Sequence, residues 1–379
     1  MTITRFSFPT TIHFGVGARA LAGPHLREQG CRRPLIVTDK GLAALPLIAE
    51  LKAALEAAGL SVAIYGGVFG NPTGPQVMDG AAAYQSHEAD CVVGVGGGAA
   101  LDVAKVVGLL ATHPGDVMDY VWDHPQVRTI DAAVLPYFVA LPTTSGTGSE
   151  VGRSSVISEA DTHIKRVIFS PLILAKVVFA DPELTLGLPP AVTAATGMDA
   201  LTHNIESYLS PAYHPLCDGI ALEGVRIGAR ALLTAVQEPG NVQARADMMM
   251  SSMMGAIAFQ KDLGAGHSCA HALGTDCDLH HGLANALMIE QVMRFNLEAA
   301  PAKFAELAHV VGAGAAPLFV PWLALLKRGI GIAPSLSSVG VKREQFARLI
   351  EIATNDMCHQ TNPRTCTAAD FERFFSEAF

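Results

Sequence analysis

Along the first half of the chain, short unbroken apolar runs alternate with longer stretches in which apolar residues recur every three or four positions. The runs Pro34–Thr38, Ser61–Tyr65, Asp90–Val95 and Tyr137–Leu141 have the length of buried strands. Between them, Ala43–Ala58, the segment after Pro75 and Ala99–Leu110 carry the helical period. Strands alternating with helices predict a parallel sheet with helical crossovers. From Pro189 the pattern changes, and Ala191–Leu209, Asp218–Val236, Asn241–Phe259, Gly282–Leu297, Pro301–Val311, Val320–Leu326, Arg343–Ile352 and Ala368–Phe379 read as helices. A boundary near Leu186–Pro190 therefore predicts an α/β domain over residues 1–188 and an all-helical domain over 189–379. The interface between two such halves is the default place for a ligand.

Composition narrows this picture. Of 379 residues, 50% are hydrophobic and only 16% charged, which indicates a large core or an oligomer interface. A formal net charge of -9 and a pI near 5.8 work against non-specific nucleic-acid binding, which needs a basic face. The seven cysteines form no CxxC and no even framework, so free thiols in a reducing cytoplasm are expected. No 18-residue apolar run is present and Met1–Thr10 carries no apolar signal segment, so neither membrane insertion nor secretion is expected.

The candidate chemistry lies mainly in the second half. Asp199 and His203 are four apart, as are His267 and His271, and residues at that spacing share one helix face. With His280-His281-Gly282 further on, one carboxylate and three imidazoles can form a divalent-metal shell. Oxygen and imidazole donors suit iron, zinc or manganese better than Cu(I), and the lack of a thiolate cluster argues against an iron–sulfur centre. In a chain with 14 His such pairs also arise by chance, so spacing alone leaves ordinary core histidines open.

Three loops of the first half add signals. Gly94-Val-Gly96-Gly97-Gly98-Ala99 lies between a strand and a helix, where backbone N–H groups can seat a pyrophosphate; a plain tight turn is the alternative. The cluster follows a later strand than the first βα turn of the usual dinucleotide fingerprint. Asp39, at the end of the first long strand, can accept from an adenosine ribose and repel a 2′-phosphate, or simply cap the next helix. Pro142-Thr-Thr-Ser-Gly-Thr-Gly-Ser-Glu150 places five hydroxyls and two glycines after a strand, to bind phosphate or to cap a helix.

Taken together, Gly96-Gly97-Gly98 with Asp102 and Lys105, the Pro142–Val151 run, Gly197-Met-Asp-Ala-Leu-Thr-His203, the set His267, His271 and His281-Gly282, and Thr361-Asn-Pro-Arg364 resemble the iron-containing (group III) alcohol dehydrogenases over nearly the whole chain. The resemblance implies metal ligation by Asp199, His203, His267 and His281, with His271 unligated beside substrate and nicotinamide. It implies dinucleotide contacts from Asp39, Asn71, the Gly96–Gly98 loop with Asp102, Thr143, Thr144, Thr147, Lys165 and the Leu184–Leu188 stretch. The fold it implies is an N-terminal Rossmann-like domain and a C-terminal helical domain with the active site in the cleft between them. Ala99 stands where the family usually has Ser, and Gly152 where Thr is frequent; the neighbouring Arg153 is a candidate partner for a substrate carboxylate or for a surface acid.

Within the family, the Met248–Gly264 run looks most like the branch that includes 4-hydroxybutyrate dehydrogenases, although a Met-rich helix is also adaptable core packing. The expected activity is therefore hydride transfer between NAD and a short primary alcohol, such as the ω-hydroxy acids 4-hydroxybutyrate or 3-hydroxypropionate. Fe(II) is the first choice of metal and Zn(II) the second; His271 is the candidate for proton transfer, or else only orients the site. A cytoplasmic homodimer with no nucleic-acid or membrane partner is expected. Two other classes stand against this: a metal- and NAD-using lyase of the dehydroquinate synthase type, which needs a basic pocket, and a non-catalytic metal-binding protein, which could dispense with the cofactor loops.

Overall fold

The computed structural model describes residues 7, 8 and 10–379. They form two compact units: residues 10–144 with 149–185, and residues 7–8 and 145–148 with 186–379. The change of unit at residues 185/186 falls where the periodicity shifts, but Ser145–Gly148 group with the helical unit. With residues 7–8 and 186–188, which also group with the helical unit, that stretch lies on the other side of a simple split into 1–188 and 189–379.

The α/β unit carries strands β1 (Thr11–Phe14), β2 (Pro34–Asp39), β3 (Ala63–Val68), β4 (Cys91–Gly96), β5 (Tyr137–Pro142), β6 (Ser154–Ser158), β7 (Lys165–Phe169) and β8 (Val177–Ala180). Its helices are α1 (Ala22–Glu28), α2 (Lys40–Ala43), α3 (Pro46–Ala57), α4 (Gly74–Ser86) and α5 (Gly98–Thr112). Six strands make one parallel sheet in the order β1-β8-β5-β4-β2-β3, while β6 and β7 pair as an antiparallel hairpin. β2, β4 and β5 are buried almost end to end, as strands covered on both faces must be, which is why they read as apolar runs.

The periodicity missed β1, β8 and the hairpin. β1 and β8 span only four residues each, and β1 is half-exposed, so neither makes a run long enough to stand out. The helix expected over Ala43–Ala58 is α3, which begins at Pro46; the short α2 before it starts at the Asp39 cap, and Pro46 cannot continue a preceding helix.

The helical unit consists of α6 (Pro190–Leu209), α7 (Pro215–Gln237), α8 (Val242–Ala258), α9 (Ala265–Asp276), α10 (His281–Asn296), α11 (Pro301–Val310), α12 (Phe319–Gly329), α13 (Phe346–Asn355) and α14 (Ala368–Ala378). α6 is its axis. Every residue from Thr193 to Leu209 is buried, and α7, α8 and α10 pack around it. Close approach depends on small residues: a Cβ on Gly197 would lie 2.2 Å from Leu232 Cδ1, and one on Gly282 would lie 2.2 Å from the Ala195 carbonyl oxygen.

Candidate metal centre

α6 presents Asp199, His203 and Glu206 at positions i, i+4 and i+7, and therefore on one face. α9 contributes His267 and the first turn of α10 contributes His281. One ligand atom from each of Asp199, His203, His267 and His281 lies within 4.8 Å of all the others. Asp199 Oδ1 is 3.4 Å from His281 Nε2 and 3.9 Å from His267 Nε2, while the rings of His203 and His267 stack with centroids 4.6 Å apart. The missing Cβ of Gly282 lets α10 bring His281 up to Asp199.

The donor set fits a divalent cation. Burial pushes the His203 imidazolium down to about 4, so at neutral pH the ring is neutral and has a lone pair to give. Its Nδ1 is buried with no hydrogen-bond partner. His267 is oriented through its other nitrogen, since Nδ1 lies 2.6 Å from Glu206 Oε2. The carboxylate–imidazole pair fixes a tautomer whose Nε2 carries no proton and has a lone pair to offer a metal.

Glu206 does more than hold His267. Its carboxylate, 2% exposed, accepts from the backbone N–H groups of Gly264, Gly266 and His267, and so caps an α9 N-terminus that has no side-chain cap of its own. A Cβ on Gly264 or Gly266 would sit 2.8 or 2.7 Å from Glu206 Oε1, so the Gly-Ala-Gly sequence makes that approach feasible. Sequence reasoning missed Glu206, although its i+7 spacing from Asp199 was a usable signal.

His271 stands apart from the four. Its Nδ1 is 2.8 Å from Asp356 Oδ2, its ring stacks on His281 at 5.4 Å, and its side chain is 29% exposed, enough for contact with solvent. Asp356, beyond the C-terminus of α13, also accepts from the Ser268 hydroxyl and the Cys358 N–H. Burial alone would raise its carboxyl, but the charge of His271 and these hydrogen bonds outweigh it and hold the group well below the usual carboxylate range. No spacing pattern pointed to Asp356.

In the α/β unit, β3 lies on one side of β2 and β4 on the other, so the strand order reverses between β2 and β4. The carboxyl ends of strands at such a reversal are where open α/β sheets bind nucleotides. There Asp39 ends β2 and Gly96 ends β4, with Gly97 and Gly98 leading into α5. This resolves the late position of the glycine cluster: β4 is the spatial neighbour of β2. Gly96 has φ +149, and a Cβ there would be 2.6 Å from Ala100 Cβ; one on Gly97 would be 3.1 Å from Thr144 Cγ2. Gly97 is also the N-cap of α5 and offers no side-chain cap, leaving N–H groups for an anion. Thr143 is tied to the same loop by its N–H to the Gly96 carbonyl.

The expected cofactor residues also have partners within the fold. Asp39 Oδ1 accepts from Leu42 N–H at 2.9 Å and caps α2, the simpler of its two roles. Asp102 is engaged internally, accepting from Lys105, the Ser149 hydroxyl and Val156 N–H, which fastens α5 to β6 and to the segment before it. Asn71 is exposed beyond β3, Lys165 opens β7, and Leu184 packs into the apolar cluster of the α/β unit. Thr147 belongs to the helical unit, as does Leu188, whose carbonyl accepts from Arg245. Arg153 lies over the Phe169 ring.

Residues 9–182 match the family described as iron-containing alcohol dehydrogenase, and residues 193–379 match its C-terminal counterpart. The 4-hydroxybutyrate dehydrogenase of Cupriavidus necator is 38% identical, over 97% of this chain and 98% of that protein. The crystal structure of a 1,3-propanediol oxidoreductase is 37% identical and superposes with a TM-score of 0.95, covering 100% of both chains. That of a sulfoacetaldehyde reductase from Bifidobacterium kashiwanohense in complex with NAD+ is 28% identical with a TM-score of 0.92, covering 100% of this chain and 99% of that one. With both halves matched in order and the donor cluster assembled, the chain belongs to the iron-containing alcohol dehydrogenase family and is an NAD-linked alcohol dehydrogenase.

Proposed function

We propose that this enzyme interconverts a short primary alcohol and its aldehyde, with Asp199, His203, His267 and His281 holding the metal. An ω-hydroxy acid such as 4-hydroxybutyrate or 3-hydroxypropionate is the favoured substrate class. The observation that carries the reading is the convergence of four donor atoms from three helices beside a neutral, unpartnered His203 nitrogen. The likeness to a 4-hydroxybutyrate dehydrogenase and to a 1,3-propanediol oxidoreductase supports a three- or four-carbon substrate with a polar far end.

Fe(II), or Zn(II) in its place, supplies Lewis acidity toward the alcohol or carbonyl oxygen, and NAD carries the hydride. The chain's own groups do the rest. Glu206 keeps His267 in the tautomer that offers Nε2. Asp356 takes the Nδ1 side of His271, leaving its Nε2 to accept the alcohol proton and pass it to solvent. The N-terminal turn of α5 and the Gly96–Gly98 loop seat the pyrophosphate, with Asn71, Thr143, Thr144, Thr147, Lys165 and the Leu184–Leu188 stretch as further cofactor contacts. Asp39 favours NAD over NADP while capping α2; Asp102 acts through the placement of α5.

No helix among the described residues is long and apolar enough to cross a membrane. Free thiols throughout support a cytoplasmic location. The exposed Phe14 on edge strand β1 supports a homodimer.

The test is metal-stripped protein reloaded separately with Fe(II) and Zn(II), given NADH and a panel of short aldehydes that includes succinic and malonic semialdehydes, with loss of NADH absorbance as the readout. Metal-dependent oxidation that is fastest with a semialdehyde is expected. His267→Ala should lose bound metal and turnover together; a metal-replete, active His267→Ala protein would overturn the ligand assignment.

A further inference from the structure

Asn285 lies four residues after His281 on α10, hence on the same face, and is completely buried. Its Nδ2 donates to Asp199 Oδ1 at 2.8 Å and lies 3.3 Å from both His267 Nε2 and His281 Nε2. The oxygen it holds is the one turned toward those two imidazoles, at 3.9 and 3.4 Å. Among the described residues, no other side-chain N–H of an amide, Lys or Arg donates to the Asp199 carboxylate. The amide orientation follows from chemistry: turned over, its oxygen would face a carboxylate oxygen and two imidazole nitrogens. The cost of the observed orientation is a buried Oδ1 with no partner.

We propose that Asn285 is a positioning residue of the metal centre, which sets metal affinity by fixing which oxygen of Asp199 faces the imidazoles. A carboxylate on a two-torsion side chain can swing, and the only formally anionic donor of the set is the one whose misplacement weakens a cation most. One N–H from the helix that also carries His281 locks the two donors to each other. In the metal-free chain the same N–H offsets the charge of a carboxylate that is almost wholly buried. Outer hydrogen bonds of this kind typically tune metal affinity by about 10–100-fold.

This inference rests on the reading that the Asp199 set binds the metal, and the experiment separates the two. Co(II) is titrated into metal-stripped wild type, Asn285→Leu and Asn285→Ala, with affinity measured by calorimetry and the visible Co(II) bands reporting ligand geometry. Circular dichroism verifies that each variant is folded; leucine retains bulk and alanine relieves it, so one folded variant suffices. The expected result is one Co(II) per wild-type chain, with binding weakened about 10–100-fold and shifted bands in the variants. Wild-type affinity and bands in a folded variant would overturn the role of Asn285, and so would tighter binding, which would make the amide a competitor. A wild type that binds no Co(II) would overturn the metal-site reading itself.

Discussion

Glu150 closes the Thr-rich loop, is 2% exposed, and has a buried Oε1 without a hydrogen-bond partner. Burial pushes its carboxyl up to about 7, against the opposing pull of its own backbone N–H and of Lys105. The folded protein thus binds this proton more tightly than the unfolded chain, whose Glu titrates near 4.5. Stability from this group is complete below the unfolded value, falls as pH rises toward 7, and stays low above it. Glu150→Gln should remove that slope. In denaturant unfolding, the variant should gain about 3 kcal/mol on the wild type between a pH below about 4 and a pH above about 8. Parallel stability–pH curves for the two proteins would show that Glu150 is not the source.

At the scale of elements, the centre depends on how closely α10 approaches α6. Gly282 is the contact point, since an added Cβ would meet the Ala195 carbonyl oxygen at 2.2 Å and Asp199 Cβ at 3.3 Å. A backbone oxygen in a buried helix cannot move aside as a flexible side chain would. Gly282→Ala should therefore displace the start of α10, cost about 1–3 kcal/mol of stability, and weaken metal binding by moving His281 away from Asp199. Metal content after purification and a thermal melt measure the two effects; a variant with full metal and an unchanged melt would refute this account of the His-Gly pair. The same scale explains the strands that escaped notice. β2, β4 and β5 could be read because burial on both faces demands unbroken apolar runs, whereas the four-residue β1 and β8 are too short for such a run and are fixed by pairing, β1 with β8 and β8 also with β5.

For the whole molecule, the donors span α6 to α10, so a bound cation ties together helices that are far apart in sequence. Binding only to the folded state adds about 3 kcal/mol when free metal is about 100 times Kd. Hydrogen exchange with and without Co(II) should show slower exchange in α6, α9 and the start of α10 while the sheet strands β2, β4 and β5 keep their rates. Equal slowing in sheet and helices would mean that the metal does not act on the helical unit in particular.

The alternation of short apolar runs with helical periods settled the class of the α/β half, because strand and helix periods are local properties of the chain. The i,i+4 pairs likewise made Asp199 with His203 and His267 with His271 visible, since a helix converts spacing into a shared face. What local spacing could not do was sort those four. Spacing could not show that the His271 Nδ1 faces Asp356, a contact 85 positions away. Asn285 reaches Asp199 across 86 positions, and Glu206 reaches His267 across 61. The alternatives open for Asp39 and Asp102 are likewise not a matter of spacing, because the cap that Asp39 makes and the internal hydrogen bonds of Asp102 depend on neighbours brought close by folding. Periodicity is written into consecutive residues; the assignment of roles follows from which side chains the packing of α6, α9, α10 and α13 leaves facing one another.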